Sequence, residues 1–431
     1  MPQMDDEEAY KERVGLRARR FRLAKGWTQE EVAHAIKSTQ PKVANLENGK
    51  HLPKGRFMRD LATLFKVPIE AITADPEIRS LFPATVSGNK KALGFCGITV
   101  DQVYIAVGSA SDTLDISVRY ADVPFRYPDR IARVKERLET IAARHAEVTG
   151  AMHWDGPTAR LLKYRDATAD TAAAYERRKL VIDAGPLSWF EFLVCNTFLD
   201  TPGLFSGGTT IRDNYTDLQK LVRRPDDLSW YELGNILQVA MTPITTDGYG
   251  IITRSRAGIV PATAGKLTSG VAENAQRWLD ECAPDDKWEP IHPFLRFAEL
   301  PPEGKRRDYQ PRAISPYVTG LRGLKEELSV LRKDLGDPRR SVKFLCLAWD
   351  LVLFHSILVG VIELPFDRSR AERLINEQRG KDHSEWSDLH FLRLDFGDDQ
   401  TIAKIVDTTD WDVGGLASFV TAVQYWEGRE G

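Results

Sequence analysis

Contact with phosphate is the chemistry that this sequence is most plainly equipped for, and the residues suited to it are crowded into one short stretch. Between Tyr10 and Lys66 stand fourteen lysines and arginines against five acidic residues, a surplus of nine positive charges in a chain whose formal net charge is −3. A compact unit so charged is drawn to polyanions, because each phosphate it neutralises releases condensed counterions. The run Arg17, Arg19, Arg20, Arg22 and Lys25 supplies much of that surplus, and the remainder of the chain is acidic. Thiol and zinc chemistry are not indicated. Cys96, Cys195, Cys282 and Cys346 lie far apart with no CxxC pair, so neither a disulfide framework nor a zinc knuckle is expected. His153, His292, His355 and His383 find no partner at ligand spacing and are read as structural.

The elements that must carry the basic stretch are legible from their punctuation. Thr28 and Glu31 have the spacing of a capping box, which starts a short helix whose inner face is Val32, Ala33 and Ile36. After a break at Lys37-Ser38, Thr39 caps a second helix. Pro41 is tolerated in its first turn, where the amide that proline lacks would be unpaired anyway. Val43 and Leu46 point inward at helical spacing, and Gly49 ends the helix where positive φ is wanted. LPKGRFMRDLATLFKVPIEAI supplies the helical pieces that close the small core.

The stretch RARRFRLAKGWTQEEVAHAIKSTQPKVANLENGKHLP resembles the lambda-repressor/Cro-like, or XRE-type, helix-turn-helix family. The resemblance implies a five-helix domain that docks on double-stranded DNA. By position it places Gln40, Lys42 and Asn45 at base edges, since amides pair with adenine and cations with guanine. It places Gln29 at a phosphate, with Lys50, Arg17 and Arg20 as further phosphate contacts and Thr39 beside them at the start of the recognition helix. Glu47 is expected to hydrogen-bond inside the domain, and Trp27, Val32, Val43 and Leu46 to form its core. Pro41 and Ala44 stand where the family often has small hydroxyl residues, so the base preference is not legible. A homodimer on two half-sites is expected, because one short recognition helix covers few base pairs.

A length of 431 residues predicts two or three domains. We expect the helix-turn-helix domain over 1–76, a linker over 77–91, an α+β extension over 92–230 and an α/β domain over 231–431. The extension mixes strand-like VYIAVGS and LDISVRY with a helix from about Pro128 to Val148. No internal repeat and no low-complexity tract is present. Phe344–Phe366 has the length of a membrane span, but Asp350, His355 and Glu363 interrupt it, so two buried strands, Val342–Asp350 and Leu353–Leu364, are predicted instead. With no secretory signal in MPQMDDEEAY, a cytoplasmic, nucleoid-associated protein without membrane contact is expected.

One further pattern bears on chemistry. TTDGYGIITRS, followed by a glycine-containing segment and the helix Arg322-Gly323-Leu324-Lys325-Glu326-Glu327-Leu328-Ser329-Val330, resembles a degenerate Nudix-like domain. In that family helical carboxylates present oxygens to Mg²⁺ on a diphosphate, and hard, partly hydrated Mg²⁺ suits such clustering. Carried over by position, Glu326 and Glu327 are the candidate metal and catalytic residues. Gly323 stands where the box has its first glutamate, Ser329 replaces the closing glycine and Ile314 falls where an upstream glutamate belongs. Glu273 is a possible substitute, and Asp382 and Glu385 lie in the family's late acidic region. The expectation is therefore a multidomain transcriptional regulator whose Nudix-like part senses a nucleotide-type ligand or mediates dimerisation, with no confident cofactor. Two alternatives stay open: a Mg²⁺-dependent hydrolase of nucleoside-diphosphate compounds, and the DNA-binding component of a phage-defence or toxin–antitoxin system.

Overall fold

The computed structural model describes residues 11, 14–15, 18–19, 21–22, 27–51, 55–65, 92–95, 98–110, 113–121, 123–141, 156–167, 178–197, 199, 204–205, 210–211, 228, 231–255, 265–283, 286–291, 313–378, 386–394 and 411–430. The chain separates into two compact units, one spanning 1–101 with 395–409 and the other 102–394 with 410–431.

In the first unit, helical residues at 11, 14–15, 18–19 and 21–22 precede α1 (Gln29–Ala35), α2 (Gln40–Glu47) and α3 (Gly55–Phe65). The predicted capping box is formed: the Glu31 amide donates to Thr28 Oγ1 at 3.2 Å and the Thr28 amide to Glu31 Oε2 at 2.6 Å. Both α1 and α2 end in Schellman motifs. At α2, Lys50 N–H bonds Asn45 O at 2.9 Å and Gly49 N–H bonds Leu46 O at 2.9 Å, with Gly49 at φ +66°. At α1, Ser38 N–H bonds Ala33 O and Lys37 N–H bonds His34 O, with Lys37 at φ +51°. A small core joins Val14, Ala18, Val32, Ala33, Val43, Leu46, Met58, Leu61 and Phe65, against which Trp27 and Ile36 pack. The last part of the expected domain, 66–76, and the expected linker, 77–91, lie outside the described residues.

The second unit is built on a mixed sheet. Its strands are β2 (Ile98–Gly108, whose first residues, like the short β1, Ala92–Phe95, fall within 1–101), β3 (Leu114–Tyr120), β4 (Pro157–Asp166), β5 (Arg178–Ser188), β6 (Leu237–Ile244), β7 (Tyr249–Ser255), β8 (Leu267–Ser269) and β9 (Val271–Asn274). A small hairpin of β10 (Cys282–Ala283) and β11 (Asp286–Pro290) lies apart from it, and β12 (Val342–Asp350), β13 (His355–Glu363) and β14 (Trp386–Arg393) complete it. The main path runs β14-β7-β6-β13-β12-β3-β5-β4. The pairs β13–β6 and β3–β5 are parallel, whereas β12–β13, β7–β14 and β4–β5 are antiparallel.

The apolar run Phe344–Phe366 forms the predicted pair of central strands. Phe344 to Trp349 and Ile357 to Leu358 are essentially without exposure, as strands covered on both faces require. Their turn is pinned by side chains: Asp350 accepts from the amides of Val352 and Leu353 at 2.6 and 2.9 Å, and Asn196 donates to the carbonyls of Leu353 and Phe354. Among the described residues no helix is long and apolar enough to cross a membrane. The stretch read as an extension contributes β2–β5 to the same sheet as β6–β9 and β12–β14. The helix expected from Pro128 to Val148 begins at Asp129, turns irregular at 133–134 and resumes over 135–141.

Besides the short helices Asp129–Ala132 and Trp189–Phe192, this unit carries α4 (Pro316–Leu328), α5 (Pro338–Ser341), α6 (Arg368–Gln378) and α7 (Val413–Glu430). α4 packs on β9 and β11, and α7 lies along β6, β8 and β13.

Candidate nucleic-acid interface

α2 has two chemically distinct sides. Val43, Leu46 and Glu47 are buried, while Gln40, Pro41, Lys42 and Asn45 are exposed, a division set by the 3.6-residue period. Among the expected contacts, Lys42 and Asn45 thus stand together on the outward side, and Gln40 is exposed at the first residue of the helix. Thr39, at the N-cap, is also exposed and its hydroxyl makes no cap bond to the helix. Lys50 is exposed just beyond the helix end. Arg17 and Arg20 lie outside the described residues.

Behind this face runs a chain of side-chain bonds. Arg22 donates from Nε to Glu47 Oε1 at 2.7 Å and from Nη2 to Glu47 Oε2 at 2.9 Å, a bidentate pair with both partners buried. Its Nη1 also bonds Trp27 O at 2.7 Å, tying the loop before α1 to the same guanidinium. Gln29 Nε2 donates to Glu47 Oε2 at 2.8 Å, and Gln40 Nε2 donates to Gln29 Oε1 at 2.8 Å. The exposed amide of Gln40 is therefore oriented through Gln29 by a buried ion pair, which fixes its rotamer before any partner arrives. Glu47 makes the internal bonds expected of it. Arg22 corrects the sequence reading: counted there among the phosphate-attracting cations, it is turned inward and neutralised. Composition carries the sign of a charge but not its direction, and only the register Arg22-to-Glu47 across three elements could have revealed the pairing.

The second group of candidate residues sits on α4. Arg322 is buried among acceptors: Asp280 Oδ1 at 2.9 Å, Glu273 Oε2 at 2.8 Å, Glu326 Oε2 at 2.9 Å and Asn274 O at 2.9 Å. Burial alone would lower the guanidinium's pKa, but Asp280, Glu273 and Glu326 reverse this and push it well above its ordinary value. Glu327 is buried and its Oε1 accepts from the Ala272 amide at 2.6 Å. Gly323 presses on β9, where an added Cβ would come within 2.6 Å of Glu273 Cγ and 2.7 Å of Val271 Cγ1. Ser329 adopts φ +58°, so the position keeps the left-handed conformation for which glycine is suited. Ile314 is buried. A hydrated Mg²⁺ needs carboxylate oxygens turned to a common open point, whereas Glu326 is turned to a guanidinium and Glu327 to a backbone amide. The residues present do not fit the ion, and among the described residues no group of three or more His, Cys, Asp or Glu is placed to hold a metal. Asp382 and Glu385 lie outside the described residues.

Residues 13–74 match the family described as a helix-turn-helix domain. No curated protein matches the chain. Among solved structures, the restriction-modification controller protein C.AhdI from Aeromonas hydrophila is 27% identical over 14% of this chain and 94% of its own, with a TM-score of 0.14. The clp gene regulator ClgR from C. glutamicum is 22% identical over 15% of this chain and 82% of its own, with a TM-score of 0.14. The hypothetical transcription factor NHTF from Neisseria is 22% identical over 18% and 88%, with a TM-score of 0.16. The large unit lies outside the family match.

Proposed function

We propose that the protein is a DNA-binding transcriptional regulator that reads the major groove with α2, acting as a homodimer on paired half-sites. The observation that carries this is the exposure of Lys42 and Asn45 on the outward side, and of Gln40 at the first residue, of the second helix of a helix-turn-helix domain, with Gln40 held by the Gln29–Glu47–Arg22 chain. Amide and cation donors at the start of a recognition helix match the donor and acceptor pattern of base edges. The test is a fragment selected from random duplexes for binding to the full-length protein, followed by the double substitution Lys42→Ala with Asn45→Ala. With each base contact worth about 1–3 kcal/mol, affinity for the selected fragment falls about a hundredfold or more while the thermal transition stays in place. Undiminished, sequence-specific binding by the double variant refutes the assignment.

For the large unit we infer a Nudix-like scaffold that binds a ligand and has lost hydrolysis. Support comes from Glu326, Glu327 and Gly323: the first is spent on Arg322, the second on Ala272, and the third brings no carboxylate. The hydrolase alternative is tested with ADP-ribose and Mg²⁺ or Mn²⁺. Turnover abolished by Glu326→Gln would restore that reading.

A further inference from the structure

The sheet of the large unit opens between two of its central strands. β12 meets β3 only at Phe344 opposite Leu114, and its edge from Cys346 to Asp350 is taken by β2. β3 nevertheless keeps its parallel partner β5 from Leu114 to Tyr120. The Ala121 amide donates to Ala184 at the end of β5, which fixes the phase of the ladder: odd residues bond toward β5, and Ile116 and Val118 turn their main-chain groups to the opened side. Ile116 is satisfied there by side chains, since its N–H donates to Tyr317 Oη at 3.0 Å and its carbonyl accepts from Lys287 Nζ at 3.0 Å. Among the described residues no strand covers the next step, at Val118.

The wedge left behind is a cavity of about 440 Å³ between β3, the β10–β11 hairpin, the start of α4 and α5. Its size is in the range of small-molecule sites. Two cations line it, Lys287 and Arg339, with one carboxylate, Asp286. Lys287 is already committed to Asp115 and to Ile116 O. Arg339 gives Nη2 to Asp286 at 2.6 Å and, on a side chain that is 60% exposed, keeps further N–H donors. The first turn of the thirteen-residue α4 enters the same space through Ser315 and Pro316. Ser315 does not cap the helix, because its hydroxyl donates instead to the Lys287 carbonyl. The spare guanidinium donors and the Ser315–Pro316 start of α4, where the proline itself brings no N–H, therefore face one half-open cleft, whose remaining wall is apolar at Val118, Trp288 and Ile314.

We propose that this cavity binds a small molecule carrying a phosphate group, with the phosphate held between Arg339 and the start of α4 and an apolar or planar body laid against Val118, Ile314 and Trp288. The site deepens the ligand-binding reading of the large unit and rests on it only for its regulatory meaning. The probes are AMP, adenosine and inorganic phosphate, titrated calorimetrically into the full-length protein. AMP binds, phosphate competes with it, and adenosine does not bind. Arg339→Glu weakens AMP at least about tenfold, as loss of a charged hydrogen-bond donor implies. Ala283→Phe, which fills the cavity and removes no charge, does the same. If neither AMP nor phosphate binds, or both variants bind AMP as the parent does, the site is overturned. Operator affinity measured with and without AMP separates the two readings. AMP binding lost in both variants, with operator affinity indifferent to AMP, keeps the site and removes the sensing role. An AMP-dependent operator affinity that survives in both variants keeps the sensing role and removes this site.

Discussion

Glu47 holds Arg22 with both carboxylate oxygens and is 4% exposed, so its removal strands a buried guanidinium. Glu47→Ala should cost about 3–5 kcal/mol, most of what a unit this small has to spare, and thermal denaturation of the full chain should show the loss of its helical contribution. Glu47→Gln, which keeps the shape and one acceptor, should cost less. Equal stability of both variants to the parent would remove the ion pair from any structural role. His355 gives a second residue-scale expectation. Burial pushes its pKa down to about 4, while its Nε2 lies 3.1 Å from Gln238 Oε1 and its Nδ1 3.7 Å from Asp350 Oδ2. The unfolded chain takes up this proton near pH 6.5 and the folded one only near 4, so stability is full above 6.5 and falls as the pH drops between the two values, by about 3 kcal/mol in all. Asp412 works the other way: burial raises its pKa, so the folded state is favoured where that carboxyl stays protonated. His355→Gln should flatten the acid limb of a denaturation profile recorded from pH 7 to 4, and an unchanged limb would assign it to other groups. The sequence marked His355 as structural but could not show that its neighbours are Asp350 and Gln238, because the three residues lie on three different strands.

At the level of elements, local chemistry was readable wherever it is local in the chain. Thr28 with Glu31, Pro41 at the start of α2 and Gly49 after it each act within a few residues, and the helices they delimit form where they predict. The end of α1 was less visible because Lys37 takes a conformation usually given to glycine. Lys37→Gly should raise the thermal transition of the small unit by up to about 1 kcal/mol equivalent, and a destabilised variant would show that the lysine side chain makes compensating contacts. Gly323 is the opposite case. Placing a glutamate there with Gly323→Glu drives a side chain into Glu273 and Val271 and should destabilise the large unit by about 1–3 kcal/mol without creating Mg²⁺ affinity, both measurable by calorimetry. Strands β12 and β13 were legible from their apolar run; the parallel pairing of β13 with β6 was not, since it joins segments more than a hundred residues apart.

On the scale of the whole molecule, charge is divided as sharply as the fold. The basic surplus between Tyr10 and Lys66 sits within a chain that is acidic overall, so its large remainder adds nothing to attraction for a polyanion. Binding to DNA should therefore carry a steep salt dependence set by the small unit alone. Six or more phosphate contacts imply a loss of about a thousandfold in affinity from 50 to 200 mM salt, and a flat response would mean that few phosphates are touched. Composition revealed this asymmetry, whereas the sheet that unites 98–188 with 237–393 could not be read from residues so distant in sequence.

The position of α7 has a consequence for how the protein comes into being. This helix lies along β6, β8 and β13, with Ala417, Phe419, Val420, Ala422 and Val423 fully buried, yet it follows all of those strands in the chain. The helix-turn-helix core closes on contacts among its first sixty-five residues. On the ribosome, then, the helix-turn-helix core can close early, while the apolar face awaiting α7 stays uncovered until α7 itself has been made. A nascent polypeptide halted before that helix would hold a finished DNA reader joined to an unfinished, aggregation-prone sheet.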